Sequence, residues 1–467
     1  MNNPEDNFDL IDEEPIKEYK TDKYEEKNDS YYNDQYNFAS LYDELIDLKD
    51  IRISKEILED EVLKFDEMSD SNLKENLLRG IYAYGYTTPS RIQSYAIPQM
   101  IKGHNILAQS QSGTGKTGAF VISALQLINE HENRPQVIIL SPTHELAQQT
   151  FLVAMELSEF MKIKISMTIG KVDRRQNLNE LCNSPENAQL VIATPGRLKD
   201  LMNYSLDKRL HIFEGVKLLI VDECDELLSN NFKSDLHDII RLLYDYTKIA
   251  LFSATLTSEI VELSGKIMED SKKILIKKEN MTLDGITQTF VECNNDDQKL
   301  AVLMDILSTT PIDRIIIYAN TKEKVNYLNS KLNENNYSTI SINGENTSID
   351  RITILRDFKR GKYKCLVATD LLSRGIDIQQ LSLMINFELP RDNLSSYIHR
   401  IGRCGRFGRM GLSINLINTS SNKNNRYKNN NHNNRRIFDE KAVQTRIITT
   451  FKCEICPLEV KHLNYIE

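Results

Sequence analysis

The segment Ile106-Leu-Ala108-Gln-Ser-Gln111-Ser112-Gly113-Thr114-Gly115-Lys116-Thr117 decides how the chain is read. It runs from a short apolar stretch, expected as a buried strand, through a glycine loop into residues of helical spacing. Gly113-Thr-Gly-Lys116-Thr117 fits the phosphate-loop pattern with its first glycine position relaxed. Glycines let the backbone wrap a phosphate, whose charge the free N–H groups and the helix N-terminus then stabilise. Lys116 is placed to reach the β and γ phosphates, and the Thr117 hydroxyl to ligate Mg²⁺.

Working outward, short apolar runs recur between helical segments. Val137–Leu140, Leu190–Ala193, Leu218–Val221 and Ala250–Phe252 follow the first run. A second series follows: Ile315–Tyr318, Thr339–Ile342, Leu366–Ala368, Met384–Phe387 and Ser413–Leu416. Strands alternating with helices imply parallel sheets covered on both faces. Two series imply two α/β domains, expected over residues 65–280 and 281–467, joined by a short linker at Lys277–Gly285.

The flanks differ in composition. Residues 1–64 hold 20 acidic and 8 basic residues, net −12, so the other 403 residues carry +3 of the total of −9. This acidic tail is expected to be mostly disordered, with one helix between Ser40 and Leu63. Ser420–Arg436 is an Asn-rich insertion, also expected to be disordered. Seven scattered cysteines do not form a disulfide framework, and Cys453-Glu-Ile-Cys456 has no second pair to complete a zinc site. The chain has no apolar run of spanning length and no signal sequence, so a membrane association is not expected.

Further motifs complete a phosphate-handling site. Leu218-Leu-Ile-Val-Asp222-Glu223-Cys-Asp225 is an apolar strand ending in carboxylates, with Asp222 expected to hold Mg²⁺ and Glu223 to orient the attacking water. Ser253-Ala-Thr255 follows another buried run, where its hydroxyls could couple two sites by hydrogen bonds. His399-Arg400-Ile-Gly-Arg403-Cys-Gly-Arg406 supplies planar, permanently charged guanidinium groups in the second domain. Arg403 and Arg406 are expected to reach across the cleft to the γ phosphate, so that turnover requires closure.

Together these motifs resemble the DEAD-box RNA helicases; the longer strings Leu77–Gly85 and Ala108–Lys116 are similar to both the translation-initiation and the exon-junction branches, while Thr369–Gln380 and Arg406–Gly408 are nearer the translation-initiation branch. The resemblance runs from Phe65 to about residue 417 and implies tandem RecA-like domains, ATP and Mg²⁺ as cofactors, and RNA held by its backbone. It implies that Phe65, Tyr86 and Gln93 serve the adenine, and that Gly375 and Asp377 serve the sugar. It assigns Pro142, Thr143, Thr194, Pro195, Gly196, Arg197, Arg351, Thr369 and Arg374 to RNA, and Ser253, Thr255 and His399 to coupling. The terminal run at 451–463 resembles the family's last helix. Cys224, His144, Lys171 and Ser348 depart from the family pattern; the last three lie on the expected RNA side. The function implied is a cytoplasmic, monomeric RNA helicase of translation initiation, working with an initiation-factor scaffold protein. The alternative is a nuclear, ATP-locked RNA clamp of an exon-junction-like complex.

Overall fold

The computed structural model describes residues 45–47, 51–54, 62–68, 72–110, 113–170, 172–184, 186–229, 232–276, 286–310, 314–370, 381–391, 394–404, 411–419, 439–451, 453–459 and 462. The expected linker, the Asn-rich insertion and most of the acidic tail lie outside them.

The first half contains β1 (Leu45–Asp47), β2 (Ile51–Ser54), α1 (Glu75–Ala83), α2 (Arg91–Ile101), β3 (Ile106–Gln109), α3 (Lys116–Leu127), β4 (Val137–Leu140) and α4 (His144–Leu157). It continues through β5 (Ile165–Thr168), α5 (Arg174–Leu181), β6 (Leu190–Ala193), α6 (Pro195–Asp207), β7 (Leu218–Val221), α7 (Cys224–Ser229), α8 (Lys233–Leu242), β8 (Lys248–Ser253), α9 (Ser258–Ile267) and β9 (Lys272–Ile276). These form a nine-stranded sheet in the order β1-β2-β9-β3-β8-β7-β4-β6-β5. From β9 onward its pairs are parallel, with Ile106–Gln109 in register with Ala250–Ser253 and with Lys272–Leu275. Every residue of β3, β4, β6 and β7 is buried, as apolar strands between two helix layers must be. Two apolar clusters cover the opposite faces of the sheet.

The second half contains β10 (Ile286–Cys293), α10 (Asp296–Thr309), β11 (Ile315–Tyr318), α11 (Lys322–Glu334), β12 (Thr339–Ile342), α12 (Ser348–Lys359), β13 (Cys365–Ala368), β14 (Leu383–Asn386), α13 (Ser395–Ile401), β15 (Gly411–Asn418), α14 (Glu440–Phe451) and β16 (Cys456–Pro457). Its seven strands run β12-β13-β11-β14-β15-β10-β16, all parallel. The two parallel-sheet domains are those expected from the sequence.

Two local expectations are corrected. Where a helix is expected within Ser40–Leu63, the described residues Leu45–Asp47 and Ile51–Ser54 form the antiparallel strands β1 and β2, which add to the sheet through pairing of Ile51–Ile53 with Ile274–Ile276. Ile53 is fully buried, so the exposed edge of β9 gains both backbone partners and an apolar contact. At the other terminus α14 ends at Phe451, and Cys456–Pro457 pairs as a strand with Thr289–Phe290 in place of a helix.

Candidate functional site

In a parallel sheet the loops that follow the strands gather at one pole. The sequence motifs of the first domain therefore converge. The phosphate loop follows β3, Pro142–Glu145 follows β4, Thr194–Arg197 follows β6, Asp222–Asp225 follows β7, and Ser253–Thr255 ends β8.

Gly115 sits in the left-handed region at φ +98, and a Cβ there would fall 2.8 Å from both Gln93 Nε2 and Ser90 Oγ. Glycine is thus required twice, by conformation and by space. Lys116 is buried at the start of α3, and its ammonium donates to the Ser110 carbonyl at 2.7 Å. Thr117, half-buried, follows it on the helix. Ser110 and Thr114 share a hydroxyl hydrogen bond across the loop. Ser112 lies outside the described residues, while Gly113, at φ +86, is exposed.

Gln93 braces this loop. Its amide donates to the Gly115 carbonyl at 3.1 Å and accepts from the Ser90 N–H at 2.9 Å. Tyr86 packs over Gly118, where a Cβ would meet its hydroxyl at 2.9 Å. Phe65 is fully buried and stacks with Tyr86 at 6.2 Å between centroids, so it is placed to hold Tyr86.

The acidic box lies beside the loop. Burial, then the neighbouring Glu223 charge, raise the Asp222 carboxyl to about 7, against the opposing pull of Lys116. Glu223 occupies the left-handed region at φ 47, which is uncommon for a residue with a side chain. The Asp222 carboxylate accepts from its N–H at 3.0 Å. This donor set suits a hard divalent cation: carboxylate and hydroxyl oxygens of Asp222 and Thr117, in a place where carboxylate charge is already costly to hold. Cys224 fills a fully buried position, and burial pushes its thiol upward.

The two domains meet at this box. Thr255 Oγ1 donates to Asp225 Oδ2 at 2.7 Å, and lies 3.0 Å from Ser395 Oγ of α13. His399 Nε2 of the same helix is 3.0 Å from Asp225 Oδ2, and His399 Nδ1 is 3.9 Å from Glu223. Ser253 Oγ closes the local turn by donating to the Thr255 carbonyl at 2.7 Å. Of the expected coupling residues, Thr255 and His399 therefore meet in one contact between the domains, and Ser253 braces Thr255 from within the first. Arg403 is buried just past α13, its Nε donating to the His399 carbonyl at 3.1 Å. Arg406, Arg374, Gly375 and Asp377 lie outside the described residues, as do Lys171 and the Ser348 side chain.

Several residues that matter were missed in the sequence. Arg400 is fully buried and donates to Asp370, to Asn386 at 3.0 Å, to the Glu388 carbonyl at 2.7 Å and to Asn320 at 3.0 Å. It ties together the loops after β11, β13 and β14, beneath α13. Arg351, expected on RNA, pairs with Glu145 of the first domain at 3.1 Å, a partner not foreseen, both side chains being largely buried. Among the other RNA-side positions, Thr143 caps α4 by accepting from Leu146 N–H at 3.2 Å, and Pro142 is buried. Thr194 precedes α6, Pro195 opens it, Gly196 is exposed, and Arg197 donates to the Val172 carbonyl at 2.7 Å. Thr369, half-buried, follows β13. No helix among the described residues is long and apolar enough to cross a membrane.

Known proteins match along most of this chain. The family model described as DEAD/DEAH box helicase matches residues 90–263, and the one described as helicase conserved C-terminal domain matches 298–408. The ATP-dependent RNA helicase eIF4A of Pyricularia oryzae is 43% identical over 353 residues, covering 76% of this chain and 86% of that protein. The eIF4A of Yarrowia lipolytica is 40% identical over 358 residues, covering 77% and 88%. The structure of S. cerevisiae Dbp5 bound to RNA and ADP BeF3 superposes with a TM-score of 0.73 at 31% identity, covering 85% of this chain and 95% of that one.

Proposed function

The chain belongs to the DEAD-box family of ATP-dependent RNA helicases and is an RNA-dependent ATPase; from that premise we propose that it unwinds short RNA duplexes in translation initiation, by closing its two domains over ATP and RNA. The observation that carries the mechanism is the contact of Asp225 and Thr255 with Ser395 and His399, next to the phosphate loop. The initiation role is supported by identity of 40–43% to eIF4A proteins over most of the chain.

In this mechanism Lys116 and the N–H groups at the start of α3 hold the phosphates, while Tyr86 and Gln93 complete the nucleotide side, backed by Phe65. Thr117 and Asp222 would hold Mg²⁺, which would supply neutralisation of phosphate charge. Glu223 orients the attacking water and takes up its proton. Arg403 and Arg406 come from the second domain and stabilise the charge developing on the γ phosphate; such arginines contribute about 10³–10⁵ in rate in related phosphoryl transfers. Gly375 and Asp377 serve the sugar. The backbone of a single RNA strand lies along Pro142–Thr143, Thr194–Arg197, Thr369 and Arg374, with little reading of base identity. A strand held in this way by a closed protein fits poorly in a continuous duplex, so a few base pairs open.

We place the domain division at 280/281, with the protein a cytoplasmic monomer that docks on an initiation-factor scaffold protein. The test is ATP turnover with and without RNA. Turnover should rise with RNA, and should fall at least 100-fold in Lys116→Ala and in Glu223→Gln, on the order of a lost catalytic group. Turnover indifferent to RNA and to both substitutions would falsify the proposed mechanism. The initiation role predicts that adding the protein raises translation of a capped reporter with a structured leader more than that of an unstructured one; equal effects on both would remove it.

A further inference from the structure

We infer that Ser395 is a positioning residue for RNA-gated closure, supplying the hydroxyl that fixes Thr255 against Asp225. The inference rests on the closure mechanism proposed above and adds a residue to it that no motif identifies.

The direction of each hydrogen bond follows from chemistry. An ionised Asp225 carboxylate only accepts, so the Thr255 hydroxyl spends its single proton on Asp225 Oδ2, at 2.7 Å. The Thr255 oxygen is then left as an acceptor, and the Ser395 hydroxyl at 3.0 Å is the donor that reaches it. His399 Nε2, at 3.0 Å, donates to the same Asp225 oxygen. Ser395 and His399 stand four residues apart on α13, hence on one face, one turn above the other. Two donors from the second domain therefore grip one acceptor system of the first: His399 directly, and Ser395 through Thr255.

All four groups are buried, Ser395 at 8%, Thr255 at 4%, Asp225 at 3% and His399 at 0% exposure. Water is excluded, so a missing donor is not replaced by solvent. Because Asp225 stands three residues from Asp222 and two from Glu223, the grip transmits the position of α13 to the residues that hold the cation and the attacking water. The hydroxyl has no role in chemistry. Its contribution to the closed arrangement appears in the linkage between RNA and ATP.

The experiment uses the full-length protein and its Ser395→Ala, Ser395→Thr and Thr255→Val variants, with the Ser395→Ala/Thr255→Val double variant. ATP affinity is measured with and without a single-stranded RNA, together with RNA-stimulated kcat and ADP affinity in the absence of RNA. Ser395→Ala is expected to weaken the RNA–ATP linkage about tenfold, the size of one buried hydrogen bond, with ADP affinity unchanged. Ser395→Thr is expected to restore most of it. In the Thr255→Val background, Ser395→Ala should cost nothing further, because its acceptor is already gone. An equal loss in both backgrounds, or an unaltered linkage in Ser395→Ala, overturns the assignment. If the wild-type protein itself shows no linkage between RNA and ATP, the closure mechanism fails and Ser395 with it. If the wild-type linkage is intact and Ser395→Ala matches it, only Ser395 is removed.

Discussion

Arg400 illustrates how a residue can sit inside a motif and do something the motif does not announce. Its guanidinium is fully buried, and it satisfies acceptors from Asp370, Asn386, Glu388 and Asn320. Lysine could not reproduce that planar fork. Arg400→Met is expected to destabilise the second domain by ~2–3 kcal/mol, since it leaves the buried oxygens of Asn386 and Glu388 without a donor, while the partly exposed Asp370 carboxylate can turn to water. Urea melts should show the transition of that domain moving to lower denaturant while the first domain's transition stays in place. An unchanged melt would mean that solvent reaches these acceptors. Its neighbours Ser395 and His399 were legible to different degrees: His399 stood in a recognisable cluster, whereas nothing near Ser395 in the chain hints at Thr255, 140 residues away. The same holds for Glu145 and Arg351.

At the scale of elements, apolar continuity made most strands readable. Val137–Leu140 and Leu218–Val221 are uninterrupted buried runs, and they formed as expected. The strands that were missed have mixed patterns. Lys272–Ile276 begins with two lysines, and Ile286–Cys293 carries the polar run Thr287-Gln288-Thr289 inside it. The segment Leu45–Ser54 has apolar residues at spacings compatible with either a helix or a hairpin, and the open edge of β9 decides between them. Ile53→Ala should cost ~2–5 kcal/mol, as for other buried isoleucines, and should be read in the unfolding of the first domain. A wild-type melt would show the hairpin to be dispensable. The Lys299–Glu440 pair makes a parallel case in the second domain. Lys299 Nζ meets Glu440 Oε2 at 2.6 Å and the Phe387 carbonyl at 2.8 Å, and fastens α14 to the sheet. Burial raises the Glu440 carboxyl, opposed by Lys299. Glu440→Gln should destabilise this domain by ~3–5 kcal/mol, whereas Lys299→Met combined with Glu440→Leu should lie closer to wild type. A double variant weaker than the single one would refute that account.

At the scale of the whole molecule, two contacts between the domains among the described residues differ in character. One is the network of hydroxyl, imidazole and carboxylate groups at the acidic box, and the other is the Arg351–Glu145 ion pair toward the expected RNA side. Arg351→Glu places two carboxylates face to face and should lower RNA affinity in a non-hydrolysable ATP analogue by about tenfold, comparable to ~1.4 kcal/mol of lost coupling. Combining it with Glu145→Arg should recover most of the loss. If Arg351 instead binds RNA directly, the exchanged pair will remain as weak as the single variant.

The register of the hairpin has a practical corollary for anyone who wishes to watch single molecules. Leu45 lies opposite Ser54, and Ile51 opposite Ile276, so the chain enters β1 travelling toward the pole that carries the phosphate loop. Force transmitted through the chain at Leu45 therefore enters the first domain at the end of the sheet opposite that pole. A tether joined there would load the paired strands β1 and β2 from the pole opposite the nucleotide-binding loops.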